Sequence, residues 1–198
     1  MSRRAEAKRQ TKETDVRVRL SLDGAGRAQV RTGIGFLDHM LDALARHALY
    51  DLEVEASGDL HVDQHHTVED VGIVLGQALS QALGERRGIR RYGEATVPLD
   101  DALARVVVDV SGRPYLAYHA EPPPPGGQKL GDYDVALTPE FFRALAIHGG
   151  LTLHVDLLRG QNTHHCVEAV FKAAARALGE ATSLDPRVRD VPSTKGTL

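Results

Sequence analysis

His65-His66-Thr67-Val68-Glu69 and His164-His165-Cys166-Val167-Glu168 are the same five-residue pattern written twice, 99 residues apart. Upstream of them Leu37-Asp-His-Met-Leu-Asp-Ala-Leu-Ala-Arg-His47 aligns with Thr138-Pro-Glu-Phe-Phe-Arg-Ala-Leu-Ala-Ile-His148 at an offset of 101. Further upstream Leu22-Asp-Gly-Ala-Gly-Arg27 resembles Val108-Asp-Val-Ser-Gly-Arg113. One such match could be accidental. Three in the same order, with small loop adjustments, mark an internal duplication. The chain divides into a flexible N-terminal segment 1–11, a first repeat 12–93, a second repeat 94–182 and a tail 183–198.

Each repeat is readable from its periodicities. Val16 to Leu22 alternates as a half-buried strand does, and Asp23-Gly-Ala-Gly26 reads as a hairpin turn leading into Arg27–Thr32. Leu37, Met40, Leu41, Leu44, Ala45 and Ala48 follow helical spacing over about 36–48. Leu52 to Ala56 alternates again, and a second helix runs from His65 to about Leu83. The second repeat supplies strands over 104–110, 114–119 and 151–157 and helices over 139–148 and 163–178. Two ββαβα units of this kind predict an α+β fold, helices packed on antiparallel sheets. Pro122-Pro-Pro-Pro-Gly-Gly127 reads as a stiff loop.

Composition narrows the function. At 42% hydrophobic, 26% charged and a net charge of −3, the chain is not basic enough for a nucleic-acid surface. No apolar run approaches the roughly 18 residues of a membrane span. Met1 to Glu13 is charged and lacks the core of a secretory signal, so a cytoplasmic location is expected. The single cysteine, Cys166, excludes an intrachain disulfide and is expected in the core. No Gly-x-Gly-x-x-Gly element or serine triad is present, and Pro192-Ser-Thr-Lys-Gly196 lacks the glycine and helix of a P-loop.

The histidine pairs are the chemical signal. Each stands in the first turn of a predicted helix, whose positive end disfavours protonated imidazole and so favours the neutral, metal-binding form. Residues i and i+4 share a helix face, so His65 with Glu69, and His164 with Glu168, can each grip an ion. His66 and His165 point about 100° away and need another metal, element or subunit. His39 and its counterpart Glu140 add two further candidates. Imidazole and carboxylate without thiolate suits manganese, iron, cobalt, nickel or zinc. His47 and His148 lie near helix C-termini, where the dipole alone explains them, and His61, His119 and His154 are read as structural. Lys172, four residues after Glu168, continues the ligand face where the first repeat has Ile73. Arg90, Arg91, Arg113, Ser193 and Lys195 offer donors for an anion such as phosphate.

Taken together, Gly33-Ile-Gly-Phe-Leu-Asp-His-Met-Leu41, His65-His-Thr-Val-Glu-Asp-Val-Gly72, His164-His-Cys-Val-Glu-Ala169, Phe171-Lys-Ala173 and Pro192-Ser-Thr-Lys-Gly196 closely resemble the imidazoleglycerol-phosphate dehydratase family of histidine biosynthesis, in its stand-alone form. The resemblance runs from about Arg9 to the C-terminus. It implies a helical layer between two sheets, a homo-oligomer of 24 subunits, and two Mn2+ ions per site at subunit boundaries. The implied metal ligands are His39, His65, His66, Glu69, His164, His165 and Glu168, with Glu140 where the family usually has histidine. The implied substrate residues are Glu13, Arg91, Arg113, Lys172, Ser193 and Lys195, with Glu13, Glu168 and Lys172 as the catalytic candidates. The implied reaction is loss of water from imidazole glycerol phosphate to give imidazole acetol phosphate, the metal-bound ring becoming imidazolate-like. A dinuclear phosphoester hydrolase and a non-catalytic metal-binding protein are the alternatives.

Overall fold

The structure, a computed structural model, describes residues 3–123 and 128–198. In the first half the order is β1 (Arg4–Gln10), β2 (Thr14–Ser21), β3 (Ala28–Arg31), α1 (Gly35–Ala48), β4 (Asp51–Gly58) and α2 (His65–Leu83). The second half gives β5 (Tyr92–Leu99), β6 (Ala102–Asp109), β7 (Tyr115–His119), a short β8–β9 hairpin (Lys129–Leu130, Tyr133–Asp134), α3 (Thr138–Gly149), β10 (Thr152–Arg159) and α4 (Thr163–Thr182). The two main sheets have the same order, β1-β2-β4-β3 and β5-β6-β10-β7. The duplication read from the sequence is therefore a duplication of topology. Each ββαβα unit is preceded by one further antiparallel strand, β1 or β5.

Three local expectations are corrected. Residues 4–10, inside the segment expected to be flexible, form β1, paired with β2 from Arg4↔Ser21 to Gln10↔Asp15. Its charged alternation hides the strand, because only Ala7 is buried in it. Asp23–Gly26 does not close a hairpin: β3 lies on the far side of β4 and runs parallel to it. The cause is Asp51, whose Oδ1 accepts the Ala25 and Arg27 N–H groups at 2.9 and 3.1 Å and so draws the loop across the start of β4. β7 likewise runs parallel to β10, so each sheet, although mainly antiparallel, closes on one parallel pair. The proline-rich loop falls partly outside the described residues, at 124–127.

The helices lie between the sheets. α2 packs on β1, β2 and β4 and meets α3 of the other half; α4 packs on β5, β6 and β10 and meets α1. Val16, Val18, Val54, Val106, Val108 and Val155 point inward into a single core with the helices of both halves. Phe141, Phe142 and Phe171 stack within it, ring centroids 4.9–5.4 Å apart. Cys166 is buried there, as expected. Among the described residues, no helix is long and apolar enough to cross a membrane.

The approach of α2 to α3 depends on absent side chains. A Cβ at Gly76 would lie 2.8 Å from the Gly149 nitrogen and 2.9 Å from the Leu145 carbonyl oxygen. Backbone cannot yield as a flexible side chain can. Gly76→Ala is expected to destabilise by about 1–2 kcal/mol, overpacking of about 1–3 kcal/mol outweighing a helix-propensity gain of about 1. Thermal melting checks this, and an unchanged or raised midpoint would contradict it.

Candidate metal centre

The first turns of α2 and α4 are built to present histidines. Asp63 Oδ1 accepts the His65 N–H at 2.8 Å, and the Asn162 side chain accepts the His165 N–H at 3.2 Å, each satisfying a donor that the helix leaves orphaned. α1 begins with Asp38 folded back on the Thr32 N–H at 2.9 Å, which orients the turn that carries His39.

Because α1 packs on α4, His39 of the first half meets His164 and Glu168 of the second. Glu168 Oε2 lies 3.0 Å from His164 Nε2 and 3.4 Å from His39 Nε2, while Oε1 takes Lys172 Nζ at 2.6 Å. The Glu168 side chain is only 12% exposed. Burial works against its charge, but the hydrogen bonds from Lys172 and His164 outweigh it, and the carboxyl sits below its ordinary value. His39, His164 and Glu168 place one ligand atom each within 4.8 Å of one another, the one such group among the described residues. Two imidazoles and a charged carboxylate fit a divalent transition metal.

The other expected ligands stand apart from this group within the chain. His65 and Glu69 are not bonded to each other among the described residues, and Glu140, at the position matching His39, pairs with Arg143. His66 turns to Asp59, with Nδ1 3.0 Å from Oδ2 and 3.8 Å from a Glu13 carboxylate oxygen. His165 turns to Asp101, with Nδ1 2.7 Å from Oδ1. A carboxylate on Nδ1 fixes the tautomer that leaves Nε2 as a ligand atom. The hydrogen bond that His66 donates to Asp59 raises the His66 pKa, against the helix-end expectation. Sequence reading missed Asp59 and Asp101. Among surface acids nothing marks them, except that each precedes or faces a His-His pair across a loop.

The candidate anion residues gather elsewhere. Asp109 binds Arg91 through both oxygens, at 2.7 Å to Nε and 3.1 Å to Nη2, and lies 3.8 Å from Arg113 Nη2. Arg91 Nη1 donates to the Pro192 carbonyl at 2.9 Å, tying the tail to the same spot. Ser193 Oγ accepts the Lys195 N–H at 3.2 Å, and Lys195 and Arg113 remain exposed. His47 lies near Lys172 and Arg176 without joining the metal group; burial first, then those cations, lowers its pKa. His119 Nδ1 lies 3.5 Å from Asp156 Oδ1, and the His154 ring packs against Tyr115 with centroids 5.9 Å apart, both outside the metal group.

The fold and site define an internally doubled α+β protein with one histidine–carboxylate group, His39, His164 and Glu168, across its two halves and an arginine–aspartate group elsewhere. Comparison with known proteins narrows this. The imidazoleglycerol-phosphate dehydratase family model matches residues 32–178. The imidazoleglycerol-phosphate dehydratase of Alkalilimnicola ehrlichii is 59% identical over 199 residues, covering all of both chains. That of Paracoccus denitrificans is 58% identical over 197 residues, 99% of this chain and 100% of the relative. The crystal structure of the Staphylococcus aureus enzyme superposes with a TM-score of 0.82 at 42% identity, covering 92% of this chain and 99% of that one. The Pyrococcus furiosus structure gives 0.80 at 38%, covering 96% and 99%. The chain belongs to the imidazoleglycerol-phosphate dehydratase family.

Proposed function

We propose that this chain removes water from imidazole glycerol phosphate to give imidazole acetol phosphate, a step of histidine biosynthesis, and that it does so in the cytoplasm with two manganese ions per site, in sites completed between subunits of a 24-subunit homo-oligomer. The observation that carries the metal-dependent reading is the meeting of His39, His164 and Glu168 across the two halves, with Lys172 on the same carboxylate. Relatives named imidazoleglycerol-phosphate dehydratase that are 58% and 59% identical over their full length support the reaction.

His39, His164, His165 and Glu168, with His65, His66, Glu69 and Glu140, would hold the ions. When bound, they supply Lewis acidity towards an imidazole ring. The chain's own groups do the rest. Arg91, Arg113, Ser193 and Lys195 hold the phosphate, the guanidinium forks by paired hydrogen bonds and Lys195 as a point charge. Glu168 or Glu13 takes the proton from the carbon beside the ring as a carboxylate base. Lys172, held against Glu168, is placed to donate a hydrogen bond to a departing hydroxyl. The two donor groups, around Glu168 and around Asp109, are not bonded to each other within one chain among the described residues.

The test is turnover of imidazole glycerol phosphate by metal-stripped protein before and after manganese is added, with product and free phosphate both followed. Manganese-dependent imidazole acetol phosphate without phosphate release is expected. Release of phosphate would make the chain a hydrolase, and two bound metals without turnover would make it a metal-binding protein.

A further inference from the structure

One buried carboxylate beside the ligands has no part in the chemistry above. Asp70 follows Glu69 on α2 and is 6% exposed. Its Oδ1 accepts Arg9 Nε at 2.8 Å, and its Oδ2 accepts the Thr14 hydroxyl. These two partners are the penultimate residue of β1 and the first residue of β2, so the carboxylate grips both ends of the β1–β2 turn. Inside that turn Thr11 Oγ1 accepts the Glu13 and Thr14 N–H groups, both at 3.0 Å, and the Thr11 N–H returns to the Thr14 carbonyl at 2.8 Å. On its other side the Glu13 carbonyl accepts the Asp59 N–H at 3.1 Å, and Asp59 is the residue that orients His66. α2 therefore carries both His66 and the clamp that sets Glu13 against it, 3.8 Å from Nδ1.

The second half shows what the clamp replaces. The residue matching Asp70 is Ala169. There the β5–β6 turn reaches its histidine directly: Asp101 bonds His165 at 2.7 Å and is itself pinned by the Gln161 and Asn162 N–H groups at 2.6 and 3.0 Å. A turn that supplies its own pinned carboxylate needs no anchor from the helix. The first-half turn, whose Glu13 side chain is 56% exposed and unpinned, does.

We propose that Asp70 is a positioning residue that holds the β1–β2 turn so that Glu13 faces His66. The assignment of a role in turnover to Glu13 rests on the function proposed above. The test is a cycle of Asp70→Asn, Glu13→Gln and the double variant in the manganese-loaded full-length protein, with Thr14→Val as a second way to cut the clamp. Turnover constants and amide hydrogen exchange over residues 11–14 are both read. Asp70→Asn and Thr14→Val are expected to speed exchange of the Glu13 and Thr14 amides. They should also lower kcat/KM by about 10–100-fold, the order of loss that misplacing a reacting group produces. In the Glu13→Gln background Asp70→Asn should cost nothing further. Unchanged exchange, or losses that multiply in the double variant, would overturn the proposal. If Glu13→Gln alone keeps full turnover, the functional reading of Glu13 is what fails, and the exchange rates decide the clamp by themselves.

Discussion

Glu168→Gln is expected to lower kcat by about 10²–10⁴-fold at saturating manganese, the range in which a positioned proton-transfer group acts. Three contacts meet on this one carboxylate. Oε2 faces both His164 and His39, and Oε1 pairs with Lys172. Glutamine keeps the shape but loses the charge that holds all three. The oxygen facing the imidazoles becomes a weaker ligand, and Lys172, itself only 19% exposed, is left without its counter-charge. Metal per chain and turnover are to be measured on the same sample, because Glu168 is assigned to both. Retained metal with lost turnover would assign the proton to Glu168. Full metal with full turnover would remove it from the chemistry. Lys172→Met provides the companion measurement: it leaves the ligand atoms in place, so a fall in turnover with metal content intact would separate the ammonium from the centre.

How far the sequence reaches is visible in this same cluster. The repeated His-His-x-x-Glu places His164 and Glu168 one helical turn apart, and the structure has them in contact. That His39 joins them could not be read from spacing, because it depends on α1 of one half packing against α4 of the other. The helices were legible throughout, because their apolar stripes follow helical spacing over their length. Sheet order was less so. The Asp23–Gly26 turn reads as a hairpin until Asp51, a residue distant in sequence, captures its N–H groups. β1 alternates charges rather than apolar residues, because its outer face carries ion pairs such as Glu6 with Arg17 and Arg19. Orienting acids such as Asp59 and Asp101 carry no local pattern at all. Their meaning lies in what the fold sets across from them.

Arg91→Lys is expected to raise KM for the phosphorylated substrate by about 100-fold while changing kcat much less. A guanidinium has five N–H donors in a rigid fork, and three of them are engaged: Nε and Nη2 with Asp109, and Nη1 with the Pro192 carbonyl. Two remain, so a single side chain can tie the tail to the sheet and still offer donors to an anion. The backbone underlines the point, since Arg91 holds a φ of +73°, a conformation that costs a non-glycine residue and persists where surrounding bonds over-determine it. Lysine keeps the charge but is a point donor that cannot span both Asp109 oxygens and the Pro192 carbonyl. Removing one partner of the bidentate pair also leaves Asp109, 19% exposed, to be satisfied by Arg113 at 3.8 Å, which draws that second cation away from substrate. The loss therefore falls on binding: Ser193 and Lys195 sit just beyond Pro192 and lose their placement together with the fork. Steady-state kinetics with the natural substrate and with the free imidazole alcohol separates the two effects. A KM penalty that disappears when the phosphate is absent is expected, whereas an equal penalty on both compounds would show that Arg91 shapes the fold of the second half and not the recognition of phosphate.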